Sequence, residues 1–424
     1  MKEMINMREM MKAVYKLEGN GQKATLLGIG PMSETLIFAS LKLAKKMDFP
    51  IMFIASRNQI DSAEFGRGYV RNWDQYDFVN TINKIAGDIA FDGLYYICRD
   101  HGGPWQRDEE RAAKLPAEEA MRIAKRSYLT DLLAGFNLLH IDPTKDPHAG
   151  SVVPMDTVIE RTVELIEYIE DERKKRNLPP VDYEAGTEET NGGLTSIEAY
   201  EDFINQLCSR LNDKGLPLPL FIVGQTGTLT RHTENVGNFD AQAATKLVSV
   251  ARKYGVGLKE HNADYLSDEI LLAHPALGIT ASNVAPEYGV AETVAYTSLA
   301  ATEQTLLKTG LITKASNLAD VLREETIKSE RWRKWMTGSD SQLSVAEVLA
   351  DDKLASLIAK IGGHYTFENP KVKQEMSVLF ESLKMVGVDA QTATENCLIR
   401  VMQRYSDCFG LNGLTTRIKS VVNA

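Results

Sequence analysis

No run of Lys and Arg is longer than the four residues RKKR at 173–176, and the formal net charge is −10. Such a surface repels phosphate backbones and anionic lipid, which argues against a nucleic-acid or membrane-surface role. No apolar run approaches the ~20 residues needed to cross a bilayer. The opening stretch, MKEMINMREMMKAVYKLEG, reads as an amphipathic helix with no apolar signal core. Cysteine is scarce: Cys98, Cys208, Cys397 and Cys408 stand apart, with no CxxC pair. That excludes a cysteine metal cluster, and it suits a reducing cytoplasm better than a disulfide framework. The dinucleotide fingerprint is incomplete as well. Residues 28–35 read GIGPMSET, where the third glycine is missing and a proline intrudes. The next apolar run ends IASRNQ, without the acid that would hold a ribose. There is also no P-loop or kinase glycine loop, so a phosphotransferase would lack its phosphate cradle.

What is present is an ordinary globular balance, 43% hydrophobic and 25% charged over 424 residues. This length fits one large domain with an appendage. Short apolar, β-branched runs recur at ATLLGIG (24–30), IMFIAS (51–56), LYYIC (94–98) and NLLHID (137–142). VDYEAG (181–186), PLFIVG (219–224), VGLKEH (256–261) and LGITASNV (277–284) follow. Most intervals carry helical periodicity, as in AEEAMRIAKRSYLTDLLAGF. Eight strands alternating with helices predict a (β/α)₈ TIM barrel, with an open doubly wound sheet as the rival. The interval after His261 has room for only about two helical turns. Beyond residue 311 the pattern becomes purely helical. The expected organisation is an N-terminal helix at 1–19, a barrel over 20–310 and a helical C-terminal extension over 311–424.

In such a barrel the C-terminal ends of the strands gather at one mouth. Read there, the residues are polar: Ser56 and Asn58; Asp100 and His101; His140 and Asp142; Glu184, Glu188 and Glu189; Gln225; Glu260, His261 and Asp264; Asn283 and Glu287. A lone strand histidine is commonly a satisfied core residue. Here three of only seven histidines fall at strand ends, each with an acid within three positions. Imidazoles beside carboxylates, with no cysteine cluster, suit zinc or a similar divalent ion at a catalytic site. Such an ion polarises a carbonyl while spare carboxylates move protons. Trp105, Arg107, Tyr69, Arg71 and Lys259 lie near the same mouth and are expected to hold the far end of a substrate, with loop packing as the alternative for Trp105.

Several of these segments resemble class II, metal-dependent aldolases. DHGGP after the third strand is similar to the family's DHG segment, EHNADYLSDE to its zinc-binding stretch after the seventh, and GITASNVAPE to its eighth-strand end. FIASRNQID, RDHGGPW, AGFNLLHID, YEAGTEETNGG, KEHNADYLSD and ERWRKWMTGSD resemble, more closely, the non-catalytic-type subunit family of tagatose-bisphosphate aldolase over nearly the whole chain. The resemblance implies a TIM barrel acting on a ketose or ketose phosphate. It makes His101 and His261 metal ligands and Asp100 an acid/base, with Glu188 as the second acid/base. The family's third zinc histidine falls at Gln225, so Glu184, Glu188 or Gln225 is expected to complete the shell. Asn58, His140, Asp142, Glu189, Lys259, Asp264 and Asn283 are then left to bind substrate. Asn262–Asp264 replaces a phosphate-binding Gly-Ala-Ser loop, and AKIGGHYTFENP replaces an arginine-rich stretch. Both departures count against a bisphosphate.

Inverting C4 of a 2-ketose cannot proceed by enolisation, because the C4 hydrogen is not α to the C2 carbonyl. Breaking and remaking C3–C4 can do it, so an aldolase-like site fits a 4-epimerase. The expectation is a metal-dependent ketose or ketose-phosphate 4-epimerase, cytoplasmic and homo-oligomeric. The alternative is an accessory subunit of a class II tagatose-bisphosphate aldolase. Clustered acids and histidines argue for the enzyme, since their desolvation costs stability that a scaffold has no use for.

Overall fold

The computed structural model describes residues 5–150, 152–186 and 196–424. Eight parallel strands form the frame: β1 (Leu26–Ile29), β2 (Ile51–Ser56), β3 (Tyr95–Gly102), β4 (Leu138–Ile141), β5 (Asp182–Ala185), β6 (Phe221–Val223), β7 (Gly257–Glu260) and β8 (Ala281–Val284). Each pairs with its neighbours in chain order, and β8 returns to β1 through Leu26–Ala281 to Ile29–Val284, so the sheet closes. Closure excludes the open sheet. The strands are buried almost throughout because helices cover the outside and side chains fill the inside, which is why they read as continuous apolar runs. Boundaries shift from the sequence reading, most at β3, which runs on to Gly102 instead of ending at Cys98, and at β8. Leu277 ends a ten-residue helix, Asp268–Leu277, and Gly278 with φ +88° turns the chain into β8.

The first helix, Met7–Gly19, starts on a capping box between Asn6 and Glu9. Its apolar stripe (Met7, Met10, Met11, Val14, Leu17) is buried. Arg8 on its other face bonds Asp182 at the start of β5 and the Leu218 carbonyl ahead of β6. The helix therefore closes the N-terminal end of the barrel and leaves the opposite end for chemistry.

From Leu318 onward the ordered elements are helical. Ala390–Cys408 packs on the helix after β1, Glu34–Met47, and Leu414–Val422 packs on the first helix. Trp332 is fully buried, and its indole donates to the Ile327 carbonyl. The turn at residues 363–366 docks on Pro286–Lys308, the helix after β8. Gly289 is required there: a Cβ on it would lie 2.7 Å from Nδ1 of His364. This docking carries Arg331 and Tyr365 to the barrel mouth, where both lie near Tyr69. Among the described residues no helix is long and apolar enough to cross a membrane.

Two buried arginines brace the third strand. Arg57 pairs with Asp61 and Glu110 and donates to the Gly103 carbonyl at 2.9 Å. Arg99 forks onto Asp131 at 2.5 and 2.9 Å, and it donates to the Ala55 and Ile60 carbonyls. Replacing Arg99 by Met leaves Asp131 buried and unpaired, so the fold is expected to lose about 3–5 kcal/mol. Removing the exposed Lys84–Asp88 pair (62% or more exposed) by Lys84→Ala is expected to change stability by less than about 0.5 kcal/mol. Urea unfolding of both variants checks the contrast. Equal losses would show that the Arg99 fork does not brace the strand.

Candidate active site and metal centre

The apolar run of β3 ends in Arg99-Asp100-His101-Gly102-Gly103. His101 sits at φ +41°, a left-handed conformation rare for a residue with a Cβ and typical of functional sites. Gly103 follows at φ +129°, and a Cβ there would lie 2.6 Å from the Asp142 carbonyl oxygen. The bare backbone thus lets the end of β3 press against the end of β4. The register slips between Arg99 and Gly102, and this bulge turns His101 into the mouth.

Three imidazoles meet there. The His101, His140 and His261 ring centroids are 4.9–5.0 Å apart. Each ring is anchored from behind by an oxygen that only accepts. His101 Nδ1 lies 2.7 Å from Asp142 Oδ2, His261 Nε2 lies 2.5 Å from Glu184 Oε1, and His140 Nε2 lies 2.9 Å from the Gly186 carbonyl. Carboxylates and carbonyls fix which nitrogen carries hydrogen, so each ring turns its lone pair inward. The inward atoms are His101 Nε2, His261 Nδ1 and His140 Nδ1, together with a carboxylate oxygen of Asp100. Such donors from all four residues lie within 4.8 Å of one another. His101 Nε2 and His261 Nδ1 are only 3.2 Å apart. Two lone pairs at that distance repel unless a proton or a metal ion stands between them. In this structure the His140 Nδ1 lone pair accepts the His101 backbone N–H at 3.1 Å, so His140 coordinates an ion only by giving up that bond.

The electrostatics agree. Burial pushes the His140 imidazole down to about 4, keeping it neutral at physiological pH. Burial opposes ionisation of Asp142 and Glu184, but it is outweighed by His101 at Asp142 and by Lys259 and the histidines at Glu184. Both carboxyls are held well below the usual range. Asp100 is likewise lowered against burial by His101, His261 and His140. Three nitrogens with a carboxylate, each ring oriented by an outer partner, fit a zinc-like divalent ion.

The structure redistributes several expected roles. Asp100, His101 and His261 come together as expected, and His140 joins them rather than standing apart to bind substrate. The Gln225 carboxamide oxygen accepts the Gly227 N–H at 3.0 Å and faces the Thr228 hydroxyl at 3.4 Å. Glu184 has both oxygens engaged, one by His261 and the other by Lys259 at 2.5 Å, so it supports a ligand instead of being one. Lys259, 1% exposed, is thereby withdrawn from substrate. Asp142 is spent on His101 and Thr144. Asp264 is not a substrate contact either. Its Oδ1 accepts the N–H groups of Ala285 and Glu287 and caps the helix after β8, while burial pushes the carboxyl up to about 8. Asn58 ties Gln106 to Asp108 across two loops. Asn283 donates to Asp100 at 3.3 Å, with its own oxygen buried and unpartnered. Trp105 is fully buried and packs its loop, donating to the Leu115 carbonyl. Glu188 and Glu189 lie outside the described residues.

His140, expected to bind substrate, is placed by the structure among the candidate metal donors with Asp100, His101 and His261. Its signal was visible, since it is one of the three strand-end histidines beside an acid. The resemblance to class II aldolases drew attention to the sixth strand instead.

This geometry separates ligands from bystanders. Single alanine replacements of His101, His140 and His261 are expected to abolish stoichiometric divalent metal, whereas Gln225→Ala retains it. Asp142→Asn and Glu184→Gln remove only outer partners and are expected to weaken binding ~10–100-fold. Elemental analysis with chelator competition measures both. A Gln225→Ala protein that loses its metal while His140→Ala keeps it would reverse the assignment.

Residues 11–404 match the model of the GatZ/KbaZ-like family, described as D-tagatose-1,6-bisphosphate aldolase subunit GatZ/KbaZ-like. No curated protein matches the chain in sequence comparison. Among solved structures it is similar to a probable tagatose 6 phosphate kinase from Sinorhizobium meliloti 1021, at 20% identity and TM-score 0.75. That match covers 91% of this chain and 100% of that one. It is also similar to the fructuronate-tagaturonate epimerase UxaE from Cohnella laeviribosi, at 12% identity and TM-score 0.55, covering 92% and 82%. Identities this low speak for the barrel fold alone; the family match spans nearly the whole chain. The chain belongs to the GatZ/KbaZ-like family, an aldolase-like family of carbohydrate metabolism.

Proposed function

We propose that this protein is a metal-dependent 4-epimerase of a ketose or ketose derivative, working by cleavage and re-formation of C3–C4. The observation that carries the reading is the triad of imidazoles at one mouth, each anchored behind and turned inward beside an ionised Asp100. A divalent ion held by His101, His140 and His261 would supply Lewis-acid polarisation of the substrate carbonyl.

The remaining chemistry falls to the protein's own groups. Asp100, kept ionised, takes the proton of the C4 hydroxyl. The C4 oxygen then forms a carbonyl as the C3–C4 bond breaks, and that electron pair passes to the ketone fragment as an enediolate. The aldehyde fragment turns over within the closed mouth. C3 re-adds to its other face, and Asp100 returns the proton to the C4 oxygen. Asn283 steadies Asp100 through its amide N–H. Glu188, which follows β5 in the sequence, is the second acid/base in this proposal.

Asp100→Asn is expected to lower turnover ~10²–10⁴-fold with the fold intact, and Glu188→Gln to fall in the same range. The chemistry leaves the C4 hydrogen in place, so a substrate deuterated at C4 is expected to keep its label. Washout into solvent would exclude the mechanism. A chain inert on all ketoses that raises the activity of a separate class II aldolase would establish the accessory-subunit reading instead.

A further inference from the structure

We infer that the substrate carries a carboxylate at the end remote from its carbonyl, and that Arg331, supplied by the C-terminal helices, is the specificity-determining residue that binds it. This rests on the epimerase reading and adds the substrate class to it.

A cleft of about 300 Å³ opens beside the mouth, between the loops after β2 and β3 and the C-terminal helices. Asn58, Arg67, Tyr69, Arg107, Arg331 and Tyr365 line it. A short run of hydrogen bonds joins it to the imidazole cluster. Asn58 donates to the Gln106 carbonyl, Gln106 to the Asp142 carbonyl, and His101 to the Asp142 carboxylate. The cleft therefore lies at the same end of the barrel as the histidines, linked to them through the loops after β2, β3 and β4.

The cations of the cleft differ in what already holds them. Arg67 is paired with Asp74 and Asp77, and Arg107 with Asp61 and Glu109. The acid Glu368 is engaged by Arg71 and Lys373. Arg331 stands apart. Its guanidinium lies over the rings of Tyr69 and Tyr365, at 5.2 and 6.0 Å, and has no hydrogen bond or ion pair among the described residues. The tyrosines hold the group without using its N–H donors as an acceptor oxygen would. A half-buried guanidinium with uncommitted donors is matched by an anionic oxygen pair, which it grips in fork geometry.

Charge then separates two kinds of anion. A phosphate monoester carries about −1.5 to −2 at neutral pH, while a carboxylate carries a single charge. The cleft has one uncommitted cation. The helix N-terminus after β8, which would otherwise favour phosphate, is already capped by Asp264. One uncommitted arginine matches a single negative charge and so selects the carboxylate.

Steady-state kinetics of the full chain on a ketohexuronate, the corresponding ketose 6-phosphate and the neutral ketose tests this. The wild type is expected to have its highest kcat/KM on the uronate. Arg331→Met is expected to cut the uronate-to-neutral preference ~10–100-fold, mainly through KM, with Arg331→Lys recovering part of it. Higher kcat/KM on the phosphate or the neutral sugar overturns the inference and leaves the epimerase reading standing. So does an Arg331→Met protein that slows all three substrates alike. If no ketose is turned over, the epimerase reading fails by itself, and calorimetric titration with the uronate decides the subsite. Binding to the wild type that Arg331→Met abolishes upholds it, and equal or absent binding in both overturns it.

Discussion

Everything proposed for this barrel depends on the hydrogen bonds behind its three imidazoles. An imidazole binds an electrophile with one nitrogen only if the other is kept protonated and aimed away. Asp142, Glu184 and the Gly186 carbonyl do this for His101, His261 and His140. Three separate acceptors, one after β4 and two at the end of β5, impose the same polarity on three rings. A cluster of histidines packed only for shape has no reason to agree in this way. The inward lone pairs, two of them 3.2 Å apart, then call for a positive centre.

The anchors themselves need support, because buried carboxylates are costly unless paired. Lys259 neutralises Glu184 from the far side, and Thr144 donates to Asp142. Further out, Arg99 and Arg57 pin β3 and its loop to their neighbours, so the strained His101 backbone is held by its surroundings. An apolar strand therefore ends in Arg-Asp-His-Gly-Gly for structural reasons. The arginine braces, the acid and imidazole face the mouth, and the glycines let two strand ends touch.

The barrel was legible in the sequence because its strands are buried on both faces and read as continuous apolar runs. Asp100, His101 and His261 were legible because strand ends converge by topology. The partners of those residues were not. Whether Glu184 binds an ion or steadies a histidine depends on which atoms point where, and Lys259 decides this from two strands away. Asp264 looked like a mouth residue because it follows β7, but the helix after β8 claims its carboxylate. The place of Arg331 was hidden for a different reason. It lies some 230 residues from His101 in the chain, and only the docking of the residue 363–366 turn against Gly289 brings its region to the mouth.

The central claim is that three imidazoles share one divalent ion. X-ray absorption at the metal edge of the purified protein tests it most directly, because it counts imidazole ligands. The account predicts one ion per chain with three imidazole nitrogens, at about 2.0–2.1 Å if the metal is zinc. A first shell of oxygens alone, or a protein that retains no stoichiometric ion after mild dialysis, would contradict it.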